Sequence, residues 1–122
     1  MSVGRVLISK DEEESKLGDE LPTIIYKRFP KNIHKKKVFV VKPLLETGLP
    51  ILCCLGALMT EGVKQENITF VNIISCEIGL KAIYQHYPKI KTICSHIDPY
   101  LLSDVNKTAP GIGDFEARYY GV

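Results

Sequence analysis

Two short stretches hold the residue types best suited to chemistry. Residues 40–52 read VVKPLLETGLPIL. A β-branched run ends at Val41, Thr47 and Gly48 lie in a short loop, and an apolar helical pattern opens at Pro50. A strand, a Thr-Gly loop and a helix start together aim backbone N–H groups and the positive end of a helix dipole at one point, which suits an anion such as phosphate. Lys42, Glu46, Thr47, Gly48, Leu49 and Pro50 are the candidate phosphate-binding residues. Two of them oppose that chemistry: Pro50 has no N–H, and Leu49 tolerates a positive φ poorly. One lost charge-assisted donor costs about 1.5–3 kcal/mol, or roughly ten- to a hundredfold in affinity. The second stretch, residues 109–121, reads APGIGDFEARYYG. By itself Pro-Gly-Ile-Gly-Asp is a tight turn.

Other reactive groups fall to blander readings. Cys76-Glu77 and His96 could suggest a thiol nucleophile, yet Cys76 ends an apolar run and reads as a buried cysteine. Cys53, Cys54, Cys76 and Cys94 lack Cys-x-x-Cys spacing and do not share ligand spacing with His34, His86 and His96, so no protein-built metal site is expected. Reduced cysteines point to the cytosol. Lys31 and Lys35 to Lys37 beside His34 read as a solvated turn, and the net charge of +2 gives no reason to expect nucleic acid. No apolar stretch approaches the ~20 residues that span a bilayer, and no signal peptide is expected ahead of the first strand-like segment. Tyr119 and Tyr120 read as packing residues.

The elements that must position these groups follow from periodicity. With 122 residues, 45% of them hydrophobic and 25% charged, one folded domain is expected. Val3 to Ser9 and Thr23 to Phe29 form a hairpin with a long, mobile connection. Val38 to Val41 is a short buried strand. Ile51, Leu52, Leu55, Leu58 and Met59 recur at helical spacing, with Pro50 in the first turn and Gly62 at the stop. Ile68 to Ile74 is a second strand. Glu77 to Tyr87 is a second helix with Ile78, Leu80, Ile83, Tyr84 and Tyr87 on its apolar side, and Lys91 to Ile97 is a third strand. A loop from Asp98 to Asp114 follows, and Ala117 to Tyr120 make a last edge strand. Alternating strands and helices give an α/β fold with a parallel sheet and right-handed crossovers. Ligands bind such sheets at the carboxyl ends of the strands, where the loops 42–49, 75–77 and 98–114 converge. Two helices shield only part of that sheet, so self-association is expected.

The order of these blocks resembles the C-terminal half of a uracil phosphoribosyltransferase. VGRVLISKDEEES and TIIYKRFPKNI are similar to that family's protruding β-arm, which dimerises. VVKPLLETG resembles its phosphoribosyl pyrophosphate loop, usually Asp-Pro-Met-Leu-Ala-Thr-Gly-Gly-Ser. NITFVNIISCEIGLKAIYQHYPKIK resembles the next strand, loop and helix, with Gly79 at the family's glycine. APGIGDFEARYYG is close to the family's uracil loop, Pro-Gly-Ile-Gly-Asp-Phe-Gly-Asp-Arg-Tyr-Phe-Gly.

The resemblance implies a partial type I phosphoribosyltransferase sheet, with a β-arm at residues 1–30 and the C-terminal half of the domain at 31–122. It implies a transferase of pyrimidine salvage that joins uracil to phosphoribosyl pyrophosphate, with magnesium bound alongside the substrate, giving UMP and pyrophosphate. The backbones of Thr108 and Gly113 would read the uracil edge, Phe115 belongs to the same loop, and Asp114 would act catalytically through its carboxylate or a bound water. Gly111 and Gly113 let the main chain approach a flat ring. Expected partners are uracil, UMP or phosphoribosyl pyrophosphate and a second copy through the β-arm, with neither nucleic acid nor membrane.

The pattern also departs from the family. Lys42 stands where the family has an acid, Leu49-Pro50 where it has Gly-Ser, Lys107 where it has a tyrosine over the base, and Glu116-Ala117 where it has Gly-Asp. The family's N-terminal half, with its pyrophosphate-binding loop, has no counterpart here. The chain alone is therefore expected to be weak or inactive, the alternative being a non-catalytic member that binds a nucleotide or a partner.

Overall fold

In the computed structural model, which describes residues 2–8, 23–102, 107–109 and 119–121, Arg5–Ile8 (β1) and Ile24–Arg28 (β2) pair antiparallel as the expected hairpin. Leu7 lies opposite Tyr26, and a register shift follows it. Both of those side chains are exposed, as are Val3 and Ile25. The long connection expected between the strands lies outside the described residues.

The chain then enters a parallel sheet. Val38–Val41 (β3) pairs with Ile68–Cys76 (β5). The strand does not stop at Val41 as its apolar run suggests. Lys42 N donates to Val71 O at 3.1 Å, and the Pro43 carbonyl accepts from Ile73 N and Ile74 N at 2.8 and 3.2 Å. Proline has no donor for the ladder, so the pairing breaks there and resumes in Leu44–Leu45 (β4), opposite Ile74 and Ser75. The candidate phosphate loop is therefore only residues 46–48, not 42–49.

Leu49–Thr60 (α1) begins at Gly48, carries Pro50 in its first turn and ends before Gly62, whose φ of 89° suits a residue just past a helix end. Glu77–His86 (α2) starts directly from β5, with Glu77 in the first turn facing the helix dipole and paired to Lys81 at 3.0 Å. Lys91–Asp98 (β6) completes the sheet on the other side of β5, in parallel.

Both helices pack on one face. Ile51, Leu55 and Leu58 of α1 and Ile83 of α2 share one core with Leu45, Ile68 and Phe70. Full burial of such side chains stabilises by roughly 1.5–3 kcal/mol each. Ile78 and Tyr84, expected on the inward side of α2, are exposed, whereas Gly79 and Ile83 are its buried residues. The helix presses its glycine, not a bulky side chain, against its neighbours.

Strand alternation sends Phe39, Val41, Val71, Ile73 and Ile93 to the opposite face. There Phe39 is 69% exposed, Val41 73% and Ile93 57%. That face has no helix over it among the described residues.

The segment after Asp98 is not all loop. Tyr100–Leu102 (β7) and Lys107–Ala109 (β8) form an antiparallel pair. Tyr119 and Tyr120 adopt helical backbone instead of the expected edge strand and meet edge to face at 5.0 Å. Adjacent aromatic rings satisfy each other this way without a neighbouring strand. Among the described residues no helix is long and apolar enough to cross a membrane.

Candidate nucleotide-binding rim

The carboxyl ends of β4, β5 and β6 gather the loop 46–48, the start of α2 and Asp98 on one rim. Gly48 is the hinge of the loop. Its φ of 86° is costly for any residue with a Cβ, and a Cβ there would lie 3.1 Å from the Gly79 carbonyl oxygen and 3.3 Å from Ala82 Cβ. Across the contact, a Cβ on Gly79 would run into the Glu46 carbonyl oxygen and sit 2.9 Å from Leu45 Cγ. The first turn of α2 thus clamps the loop. Positive φ falls on Gly48 and not on Leu49, so Leu49 enters the helix without strain.

Local chemistry at the helix start is less favourable to an anion than the backbone shape. Leu49 N donates to Thr47 Oγ1 at 3.3 Å, and Leu52 N to Gly48 O at 2.9 Å. Pro50 offers no N–H. One of the first-turn donors is therefore engaged by the loop's own hydroxyl and the next is missing. Glu46 and Thr47 are half-buried.

Lys42 lies lower on the strand and is half-buried. Its ammonium acts on the thiol of Cys54 in α1, whose pKa is pushed up to about 11 by burial and by Cys53, with Lys42 opposing. All four cysteines are free thiols, with Cys54 and Cys76 buried and Cys53 and Cys94 half-buried.

The rim also carries a histidine–aspartate pair that the sequence reading does not single out. Asp98, 1% exposed at the end of β6 and level with Cys76 where α2 begins, has its Oδ1 2.8 Å from Nε2 of His96, itself 62% exposed. His-x-Asp at a strand end was the available sign. The contact brings His96 to Asp98 and not to Cys76, which is fully buried, so the thiol-nucleophile arrangement is not formed.

Among the residues of the uracil loop, Thr108 sits in β8 opposite Leu101. Gly113, Asp114 and Phe115 lie outside the described residues. Lys31 and Lys35 to Lys37 are exposed around a 3-10 turn at Ile33–Lys35. A depression of about 360 Å³ beside it, lined by Lys27, Phe29, Lys31, His34 and Glu61, lies at the opposite end of the sheet from the rim. There Lys27 is 3.8 Å from Glu61.

A parallel sheet with both helices on one face, and a glycine-hinged strand–loop–helix at its carboxyl rim, defines an α/β protein with a candidate anion-binding loop. A solved structure of the AQ2163 protein from Aquifex aeolicus superposes with a TM-score of 0.78 at 26% identity, covering 98% of this chain and 53% of that one. The family model for uracil phosphoribosyltransferase matches residues 1–122, and the chain belongs to that family. It is 33% identical over 121 residues to a uracil phosphoribosyltransferase of Dictyostelium discoideum, covering 99% of this chain and 53% of that protein. The corresponding protein of Saccharomyces cerevisiae is 35% identical over 121 residues, with 98% and 53% covered. The chain spans about half the length of the curated relatives it matches.

Proposed function

We propose that this chain carries the nucleotide-holding half of a uracil phosphoribosyltransferase site in pyrimidine salvage. In that reaction uracil N1 bonds to the ribose C1 of phosphoribosyl pyrophosphate and gives up its proton. The C1–O bond breaks with its electron pair leaving on pyrophosphate. The observation that carries the reading is the loop 46–48, hinged at Gly48 and clamped by Gly79, at the rim where α/β sheets bind ligands. In this reading Thr47 and Gly48 hold the 5′-phosphate, and the backbones of Thr108 and Gly113 read the base. Asp114 serves the uracil ring through its carboxylate or a water, with Phe115 beside it.

Such transfer depends on positioning and on neutralising the charge that develops on pyrophosphate. Magnesium is held by one or two carboxylates together with substrate phosphates, and Lys42 supplies no such oxygen at the loop start. The ion belongs with the pyrophosphate substrate. In this reading the chain alone is expected to hold a nucleotide weakly and to give no transfer in an activity assay.

The engaged Leu49 N–H and the missing one at Pro50 favour a second reading, a non-catalytic member that retains nucleotide binding. Both readings go with a cytoplasmic protein of reduced cysteines. Both also go with pairing of two copies through the hairpin, whose Val3, Leu7, Ile25 and Tyr26 are exposed.

Calorimetric titration with UMP, with uracil as control, tests the site. UMP offers base and phosphate together without needing the pyrophosphate loop. Saturable UMP binding tighter than uracil supports the rim as a nucleotide site. No heat from either ligand sinks it.

A further inference from the structure

Uracil N1 can bond to C1 only if the proton it carries has somewhere to go, and the rim offers few acceptors. Glu77 is paired with Lys81. The Cys76 thiol is fully buried, and Lys42 is a donor only. Glu46 belongs to the loop on the other side of β5. His96 differs from all of these. Its ring is 62% exposed at the carboxyl end of β6, with Oδ1 of the buried Asp98 2.8 Å from Nε2. An ionised carboxylate comes that close only to a ring nitrogen bearing hydrogen, because a lone pair there would repel it. The neutral ring therefore keeps its hydrogen on Nε2 and presents Nδ1 as an acceptor. The carboxylate behind it favours the imidazolium once a proton arrives. An orienting acid behind an imidazole is the arrangement that prepares a general base.

We infer that His96, positioned by Asp98, accepts the N1 proton of uracil. The N1–H bond breaks towards Nδ1, and its electron pair stays on nitrogen to form the bond to C1. The C1–O pair leaves with pyrophosphate, and the proton ends on an imidazolium facing Asp98. Chain continuity puts the pair beside the base-reading segment. Pro99 alone separates Asp98 from β7, and β7 pairs with β8, where Thr108 lies opposite Leu101. β8 also packs against β5, whose end is level with Asp98. Three residues span at most ~10 Å and antiparallel partners sit about 5 Å apart, so Thr108 lies within about 15 Å of Asp98. A pyrimidine ring with a hydrogen bond at each end bridges most of that span, and the His96 side chain covers the rest. Titratable neighbours on the adjoining elements are few. β5 contributes only the buried Cys76, α2 opens with Glu77 and its partner Lys81, β7 opens with Tyr100 and β8 with Lys107. β6 itself adds Cys94 and, at its far end, Lys91. The inference rests on the proposed function. It also requires, before any transfer, that uracil bind with N1–H donating to Nδ1, so its test reads binding and not turnover.

The full chain is titrated with uracil and with 1-methyluracil, whose N1 has no hydrogen to give. Titrations run from about pH 8 to about pH 5, the interval in which an imidazole ordinarily takes up its proton. Protonation of Nδ1 removes the acceptor, so uracil affinity should fall about tenfold per pH unit once the ring is charged. The 1-methyluracil profile should be flat. In His96→Gln, whose amide does not titrate, the uracil profile should become flat as well. Nitrogen-15 spectra give a second readout: uracil should shift Nδ1 of His96 and 1-methyluracil should not. His96 is exposed, so circular dichroism of the variant should match the parent, and His96→Asn repeats the test if it does not. Three results overturn the inference: a uracil profile as flat as that of 1-methyluracil, a pH response that survives His96→Gln, or an Nδ1 resonance that ignores uracil. With UMP still bound, each of these leaves the nucleotide site standing. Failure of both UMP and uracil to bind overturns the site and the proton acceptor together.

Discussion

Gly79→Ala and Gly56→Ala should change stability in opposite directions, although both replace a helical glycine with the best helix former. In a helix interior that exchange gains about 0.5–1 kcal/mol. At Gly56, in the middle of α1, a Cβ meets only the Tyr87 hydroxyl at 3.6 Å, an ordinary contact, so the gain is kept. At Gly79 the same Cβ collides with the Glu46 carbonyl and lies 2.9 Å from Leu45 Cγ. Neither neighbour can swing away, since one is backbone and Leu45 is in the core. Overpacking of this kind costs about 1–3 kcal/mol. After the helix gain is subtracted, a net loss of up to about 2.5 kcal/mol remains, centred on about 1. Urea unfolding followed by far-UV circular dichroism reads both variants against the parent. The loop carrying Thr47 and Gly48 must also shift, so UMP affinity should fall for Gly79→Ala and hold for Gly56→Ala. If Gly79→Ala gains stability as Gly56→Ala does, the loop and α2 are not in the contact described, and the rim loses its organising element.

Pro50→Ser restores an N–H in the first turn of α1 and should tighten UMP binding by roughly ten- to a hundredfold, the worth of one charge-assisted donor. Adding Lys42→Asp and Leu49→Gly tests the rest of the altered loop, and flat affinity in the triple variant would clear these positions of blame. Cys54 predicts an alkaline weakness. Its folded pKa is raised from 9.0 to about 11, so the folded state keeps a proton that the unfolded chain gives up. Its stabilising contribution is complete below pH 9.0 and is lost as pH rises through about 11, a change of about 2 kcal/mol. Urea midpoints at pH 8 and pH 11 should fall more steeply for the parent than for Cys54→Ala. Equal slopes would refute it.

The order of the hairpin strands, β3, α1, β5, α2 and β6, the first turn of α1 around Pro50, its stop at Gly62 and the family are legible in the sequence, because each depends on neighbours within a few residues or on a contiguous motif. Proline fixes φ, glycine alone tolerates the turn past a helix end, and apolar spacing reports the period of the backbone. Tertiary structure alone decided what depends on residues far apart in the chain. The ladder resumes at Leu44 after Pro43 because β5 offers Ile73 and Ile74 as donors. Ile78 and Tyr84 turn outward because Gly79 must approach Glu46 and Leu45. Gly48 finds its clamp 31 residues away in Gly79, and the end of β6 buries Asp98 beside the start of α2 while His96 leans on it. Hydrophobic pattern shows that a residue wants burial but not which surface will bury it, and so the exposed face of Phe39, Val41 and Ile93 became visible only once both helices were seen to choose the other side.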